Sequence, residues 1–218
     1  MSNIVIAIDG PSGSGKGTLA KALAKKFNLV NIDTGATYRC VALKTLRNNI
    51  KLEEQEKIIY ISKNINIDLK EDGRVLMDGE DVTKEIRSKE VTGIVSQLSN
   101  IVEVRENLVK IQRKIAGNNN VVMEGRDITT VVLPNAKYKF YLDASLESRV
   151  ERRYKENQEK GINMTYEEVK ENIEKRDYND THKEVGSLKR TDEQIYIDTT
   201  NLTVDEEVAI IEKVIKGD

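Results

Sequence analysis

Hydrophobic and polar positions follow two periods along the chain. Short apolar runs, several of which end in a carboxylate, predict five buried β-strands at residues 4–8, 30–33, 121–124, 138–143 and 194–198. Apolar residues at helical spacing predict helices at 18–27, 38–47, 91–115, 146–159, 166–178 and 204–216. This alternation is typical of an α/β fold, here a doubly wound parallel five-stranded sheet flanked by helices.

The rhythm changes between residues 52 and 90. Residues 65–69 alternate at period two, and residues 74–82 contain Asp78-Gly79, a dipeptide typical of a tight β-hairpin turn. We expect a small antiparallel insertion at the rim of the parallel sheet. Because the linkers are short and charged, we expect one globular unit over residues 1–218.

Composition excludes several classes of protein. The 218 residues include 35 lysines and arginines against 37 aspartates and glutamates, so no overall basic field indicates a nucleic-acid partner. The single cysteine, Cys40, excludes an internal disulfide framework and is best interpreted as a small apolar residue on a helix. No stretch is long and apolar enough for a membrane span, and the first residues lack the layout of a signal peptide. We therefore expect a cytoplasmic protein, without a membrane partner, that is a monomer.

A glycine-rich segment follows the first predicted strand. Its nine residues are Gly10, Pro11, Ser12, Gly13, Ser14, Gly15, Lys16, Gly17 and Thr18. A strand, a glycine-rich turn and a helix together make a P-loop, in which backbone N–H groups and the helix N-terminus cradle phosphates. Lys16 would reach the outer phosphates of ATP, and the Thr18 hydroxyl would reach Mg²⁺.

Arginines recur beside predicted strand ends and turns, and the planar guanidinium suits phosphate. Arg126 directly follows a strand and Gly125, and Arg39 follows a similar turn after the second strand. On one helix face, Arg149 and its neighbours at 152 and 153 either surround an anion or pair with glutamates of the same helix. Arg176 and Asp180 either pair with each other or bracket a ligand, whereas we interpret the single histidine, His182, as a surface residue.

Five segments together resemble bacterial cytidylate kinase, a P-loop nucleoside monophosphate kinase. They are residues 10–18, 33–39, 79–87, 125–134 and 175–180, in order over nearly the whole chain. The segment 125–134 and the insertion distinguish this family from other nucleoside monophosphate kinases. The resemblance implies a core at 1–34, 97–148 and 161–218, a monophosphate-binding subdomain with the insertion at 35–96, and a short lid at 149–160.

The resemblance also implies roles for individual residues. The catalytic group comprises Lys16, Arg126, Arg149, Arg153 and Arg176. The group that binds CMP comprises Thr34, Arg39, Ser96, Arg105, Arg126, Asp127, Asp180 and Lys183. Four positions depart from the family pattern: Glu124 replaces an aspartate, Thr129 a glycine, Lys183 an arginine and Ser187 a proline.

The sequence therefore predicts a kinase that transfers the γ-phosphoryl group of ATP, with Mg²⁺, to CMP and also to dCMP. The acceptor oxygen is already an anion, so the site has no need of a general base. Two alternatives stay open from the residues themselves. One is a P-loop kinase that acts on another small acceptor, and the other is a nucleotide-binding switch that transfers no phosphate.

Overall fold

Strands and helices alternate along the chain in this computed structural model, which describes residues 3–70 and 72–217. The elements are β1 (Val5–Asp9), α1 (Lys16–Phe27), β2 (Val30–Asp33), α2 (Thr34–Arg47), α3 (Gln55–Asn64), β3 (Ile67–Leu69), β4 (Val75–Met77), β5 (Glu80–Asp81), α4 (Lys89–Leu98), α5 (Val102–Ala116), β6 (Val121–Gly125), β7 (Tyr138–Asp143), α6 (Leu146–Glu159), α7 (Tyr166–Thr181), β8 (Ile195–Asp198) and α8 (Val204–Lys216). A 3₁₀ turn at Glu85–Arg87 precedes α4, and a π-helical turn at Ile128–Val132 follows β6.

The main sheet has five strands in the order β2-β6-β1-β7-β8, and every neighbouring pair is parallel. The predicted fold class is confirmed. From β1 the chain crosses first to β2 on one side and later to β7 on the other, so the strand order reverses at the carboxyl end of β1. Ligands of open parallel sheets bind at such a reversal.

The alternation of side chains along β1 divides the core between the two faces of the sheet. Ile6 and Ile8 pack with apolar residues of α1 and α8, whereas Ala7 faces the layer that holds Met123 and Ile128. All five side chains are fully buried. Because both faces are covered by apolar groups, the sheet is a rigid support for the loops at its edge.

The insertion forms a separate three-stranded antiparallel sheet, β3-β4-β5. Asp78 and Gly79, with φ of 52° and 89°, form the turn of the β4–β5 hairpin, as predicted. Two positive φ values in succession match the right-handed twist of a tight hairpin. A second apolar cluster unites this sheet with α2, α3, α4 and α5 around residues such as Ile58 and Leu108.

The predicted helix at 91–115 is wrong, since two helices, α4 and α5, occupy this region. The first ends at Leu98, the hydroxyl of the next residue, Ser99, donates to the carbonyl of Ser96, and the chain is extended at Ile101. Serine and asparagine compete with helical hydrogen bonding through such local contacts, which ends the helix here. Helix α3 was not predicted, and α2 begins at Thr34 rather than Tyr38 because the Asp33 carboxylate caps its N-terminus.

Two smaller expectations concern the helices. The Cys40 side chain is fully buried in α2, and burial raises the pKa of its thiol to about 12, as befits an apolar core residue. Within the described residues, no helix combines the length and the apolar character that a membrane crossing requires.

Candidate active site

The parallel sheet brings the carboxyl ends of its strands to one edge, and most of the predicted site residues lie there. The P-loop follows β1, Thr34 follows β2, Arg126 follows β6 and Arg149 lies on the first turn of α6 after β7. Arg105 comes from α5 and Ser96 from α4. Arg176 and Asp180 project from α7.

The P-loop has the backbone conformation that a phosphate cradle requires. Gly15 lies in the left-handed region, with φ of 91°, and leads directly into α1. A Cβ on Gly10 would lie 2.1 Å from the carbonyl oxygen of Leu142, so only glycine fits this close approach. Two of the glycines are therefore required by the turn itself.

Lys16 is folded back onto its own loop. Its Nζ donates to the carbonyl of Pro11 at 2.7 Å and to the Ser14 hydroxyl at 3.2 Å. Burial, and then the charge of Arg126, lower the pKa of Lys16 to about 7. An ammonium held among neutral acceptors and near another cation is poised to bind an anion that reaches the loop.

The apex of the P-loop is held by residues of α6 and α7. Arg149 is buried, forms an ion pair with Asp177 and donates to the Ser12 carbonyl at 2.9 Å. Asp177 also accepts from the backbone N–H of Ser12 at 2.9 Å. Asp177 is not among the predicted site residues, although its spacing of three residues from Asp180 places both on one face of a helix.

The other two members of the α6 arginine group have separate partners. Arg152 donates to the hydroxyl of Thr199 at 3.1 Å and to its carbonyl. Arg153 forms an ion pair with Glu156 at 3.0 Å, one helical turn along. Arg153 therefore pairs with a glutamate of its own helix, which was one of the two alternatives. The contacts of Arg149 match neither a pair with such a glutamate nor an anion.

A second group of cations lies across from the P-loop. Arg126 donates from Nε to Asp180 at 2.7 Å, and the Nζ of Lys183 lies 2.9 Å from the other carboxylate oxygen. Burial disfavours ionisation of Asp180, but the two cations outweigh it and hold the pKa of that carboxyl well below its usual range. Asp180 therefore pairs with Arg126 and Lys183, and the expectation that it brackets a ligand with Arg176 stays a prediction.

Two guanidinium groups in this cluster are incompletely neutralised. Burial, and then Arg126, lower the pKa of Arg176 to about 10. The Nη1 of Arg39 is buried without a hydrogen-bond partner among the described residues, and it lies 3.6 Å from Asp33. Unsatisfied buried donors are rare in proteins, so Nη1 of Arg39 indicates a place for an anion.

Arg105 and Asp127 form a buried ion pair beside this cluster. The Arg105 guanidinium lies 5.7 Å from the centre of the Tyr38 ring and contacts the Gly186 carbonyl at 3.5 Å. Ser96 accepts a hydrogen bond of 3.2 Å from Asn179, a contact that sequence analysis did not anticipate. Thr34 instead turns its hydroxyl toward the Glu124 carbonyl at 2.8 Å and so joins β2 to β6.

Hard oxygen donors flank the start of α1. The Thr18 side chain is exposed, and a Cβ on Gly17 would lie 3.5 Å from Oε1 of Glu124. Burial, and then Asp33, raise the pKa of Glu124. Mg²⁺ prefers oxygen ligands and commonly takes only one or two from the protein, with the rest from phosphates and water. The groups present therefore fit a magnesium ion bound together with a nucleotide.

Comparison with known sequences shows the family of this chain. A family model described as cytidylate kinase matches residues 6–217. The chain belongs to the cytidylate kinase family. It is 49% identical over 216 residues to the cytidylate kinase of Fusobacterium nucleatum, with 99% of each chain covered. It is 52% identical over 214 residues to that of Caldanaerobacter subterraneus, which covers 98% of this chain and 95% of the relative.

Structural comparison shows the fold alone. The shikimate kinase of Bacteroides thetaiotaomicron aligns with a TM-score of 0.50 and 13% sequence identity, over 98% of each chain. An uncharacterized protein of Eubacterium ventriosum aligns with a TM-score of 0.54 and 15% identity, over 99% of this chain and 100% of the other.

The four residues that depart from the cytidylate kinase pattern lie in different parts of the structure. Glu124 lies in β6 with its carboxylate close to Gly17 at the start of α1, and Thr129 is the second residue of the π-helical turn, where its hydroxyl donates to Asp9. Lys183 pairs with Asp180, so it makes a single-point contact where a guanidinium could make two. Ser187 is buried in the loop next to Gly186.

Proposed function

We propose that this protein transfers the γ-phosphoryl group of ATP to CMP, and to dCMP as a second acceptor. The observation that carries the proposal is the pair of facing cation groups: Lys16 in the P-loop, and Arg39 with Arg176 across from it. One nucleotide needs only the P-loop. The second group, in which Nη1 of Arg39 is buried without a hydrogen-bond partner among the described residues, fits the phosphate of an acceptor that is itself a nucleotide.

The chain's own residues act on charge and position. The attacking phosphate oxygen is already ionised, so the obstacle is repulsion between two polyanions. Lys16 leaves the Pro11 carbonyl for the outer phosphates of ATP, while Arg126 and Arg176 neutralise the charge that develops between donor and acceptor. Thr18 would hold Mg²⁺ together with the bound nucleotide, and the ion would supply positive charge that offsets part of the charge of the donor phosphates.

Arg149 and Arg153, the other arginines expected to be catalytic, have two different roles. Arg149 holds the P-loop apex through Ser12 and Asp177, so it preserves the shape of the donor site. Arg153 lies on the exposed part of α6, paired with Glu156, and would turn toward the transferring group when the lid at 149–160 closes.

Cytosine recognition is assigned to the buried Arg105–Asp127 pair and to Ser96. Cytosine offers the acceptors O2 and N3 beside an exocyclic amine, and a paired guanidinium and carboxylate supply the complementary donor and acceptor. Asp180 and Lys183 would bind the sugar. The subdomain at 35–96 would close on the core at 1–34, 97–148 and 161–218, and the hydrogen bond from Asn179 to Ser96 already joins the two.

A coupled assay of ADP release, with CMP present and absent, tests the proposal. We expect ADP release that depends on CMP, with dCMP also accepted and other nucleoside monophosphates used poorly. Release that requires a different small acceptor would identify another P-loop kinase. ATP binding without ADP release in the presence of any monophosphate would identify a nucleotide-binding switch.

We also propose a cytoplasmic monomer, and light scattering measures its mass in solution.

A further inference from the structure

A chain of buried hydrogen bonds lies directly behind the two proposed nucleotide sites. Asp9 ends β1 and is followed at once by the P-loop. Its Oδ1 accepts from the backbone N–H of Ile128 at 2.8 Å, and its Oδ2 accepts from the N–H and hydroxyl of Thr129 at 2.9 and 2.6 Å. These residues begin the π-helical turn that follows the Arg126-Asp127 pair. One carboxylate thus connects the donor loop to the segment that carries the acceptor residues.

Gln194 extends this chain of bonds and fixes its direction. Its Oε1 accepts from the backbone N–H of Thr191 at 2.7 Å, so its amide nitrogen must face inward. That nitrogen donates to the Thr129 hydroxyl at 2.5 Å, and the hydroxyl proton therefore goes to Asp9. Asp9, Thr129 and Gln194 are all buried, at 0%, 2% and 7% exposure, so water cannot replace a lost partner easily.

We propose that Thr129 and Gln194 are positioning residues for phosphoryl transfer, which set the placement of Arg126 relative to the P-loop through Asp9. This inference rests on the proposed function. In-line transfer depends on alignment, and a misplacement of about 1 Å can lower the rate roughly a hundredfold. Without the Thr129 hydroxyl, Asp9 keeps two backbone donors and a contact of 3.4 Å from the amide nitrogen of Gln194, but Gln194 loses its nearer acceptor and the turn is held less firmly.

Substitutions at Thr129 test the role of the hydroxyl. Thr129→Val keeps the shape of the side chain and removes the hydroxyl, and we expect kcat to fall about tenfold with a small change in KM for ATP. Thr129→Ser keeps the hydroxyl and should retain at least half of the normal kcat. Thr45→Val is the matched control, because it removes an equally buried hydroxyl, bonded at 2.8 Å to the Val41 carbonyl, in a helix of the subdomain. It should lower stability without changing kcat.

A double-mutant cycle and an exchange measurement separate positioning from general stability. Gln194→Leu should lower kcat in the same direction, and adding it to Thr129→Val should cost little more, since both break one chain of bonds. Without any nucleotide, the backbone amides of Ile128 and Thr129 should exchange with solvent at least tenfold faster in both single variants.

The outcomes are distinct. Unchanged kcat in Thr129→Val and Gln194→Leu, or an equal loss in Thr129→Ser and Thr45→Val, would overturn the inference while the proposed function stands. A wild-type protein inactive on CMP would overturn the proposed function. In that case the exchange rates still decide whether Thr129 and Gln194 hold the turn, and unchanged rates would overturn that too.

Discussion

Glu207 provides a sharp test of the electrostatics of this fold. It lies on α8 beside the P-loop with only 3% of its surface exposed, and its Oε2 has no hydrogen-bond partner among the described residues. Burial raises its pKa to about 7 from the 4.5 of a freely solvated glutamate, although the charge of Arg152 works in the opposite direction. The folded state therefore holds the proton of Glu207 more tightly than the unfolded chain does.

The effect of Glu207 on the free energy of unfolding follows from the linkage between proton binding and folding. A raised acid pKa contributes stability that is fully present below the unfolded pKa and is lost as pH rises through the folded value. Each pKa unit corresponds to about 1.4 kcal/mol, so the ionised carboxylate destabilises the fold by about 3 kcal/mol above pH 7. Glu207→Gln cannot ionise. We expect it to be more stable than the wild type by up to about that amount at pH 8, with most of the gain absent at pH 5.

Urea unfolding between pH 5 and pH 8.5, without nucleotide, measures this difference. The matched control is Glu212→Gln on the same helix, because hydrogen bonds from Lys26 and Lys216 lower the pKa of Glu212. This control should gain no stability as the pH rises. Parallel stability curves for Glu207→Gln and the wild type from pH 5 to pH 8 would refute the reasoning.

Three further predictions concern the nucleotide sites. Arg126→Lys should lower kcat/KM roughly a hundredfold in steady-state assays, because an ammonium cannot replace the guanidinium fork; equal kinetics would contradict the assignment. ATP binding at pH 8 should take up close to one proton, since phosphate charge raises the pKa of Lys16 from about 7. Calorimetry in two buffers measures this uptake, which Lys16→Met should abolish. Gly186→Ala should raise KM for CMP at least fivefold, because its Cβ would lie 1.8 Å from Nη2 of Arg105; Gly161→Ala, with a similar positive φ of 68° but no neighbouring atom within 4 Å, is the control and should leave KM unchanged.

The parallel sheet could be predicted because its five strands are short segments rich in apolar residues, which the sequence pattern displays directly. The break between α4 and α5 could not, since apolar residues keep helical spacing on both sides of Ser99 and Ile101. Only the hydrogen bond of the Ser99 hydroxyl to Ser96 shows where the helix ends. The hairpin at Asp78-Gly79 was predictable because its turn chemistry is local.

In the candidate site, too, features set by neighbouring residues could be predicted, whereas contacts with residues distant in the chain could not. Motifs predicted Lys16, Arg126 and Asp180 as site residues, but not the residues with which they form hydrogen bonds and ion pairs. The three arginines of α6 share one face in sequence spacing, yet they separate in space: Arg149 reaches Asp177, Arg152 reaches Thr199 and Arg153 stays with Glu156. These contacts depend on residues that lie far away in the chain, so the spacing of residues in a single sequence does not predict them.

The state of Cys40 has a practical consequence. It is the only sulfhydryl of the chain, and within α2 it is fully enclosed and strongly disfavoured as a thiolate. Maleimide and iodoacetamide reagents need an accessible thiolate, so the native protein should resist labelling. Fluorophores attached to cysteines newly placed on α3 and α6 would therefore report the distance between the subdomain and the proposed lid without any need to remove the natural cysteine.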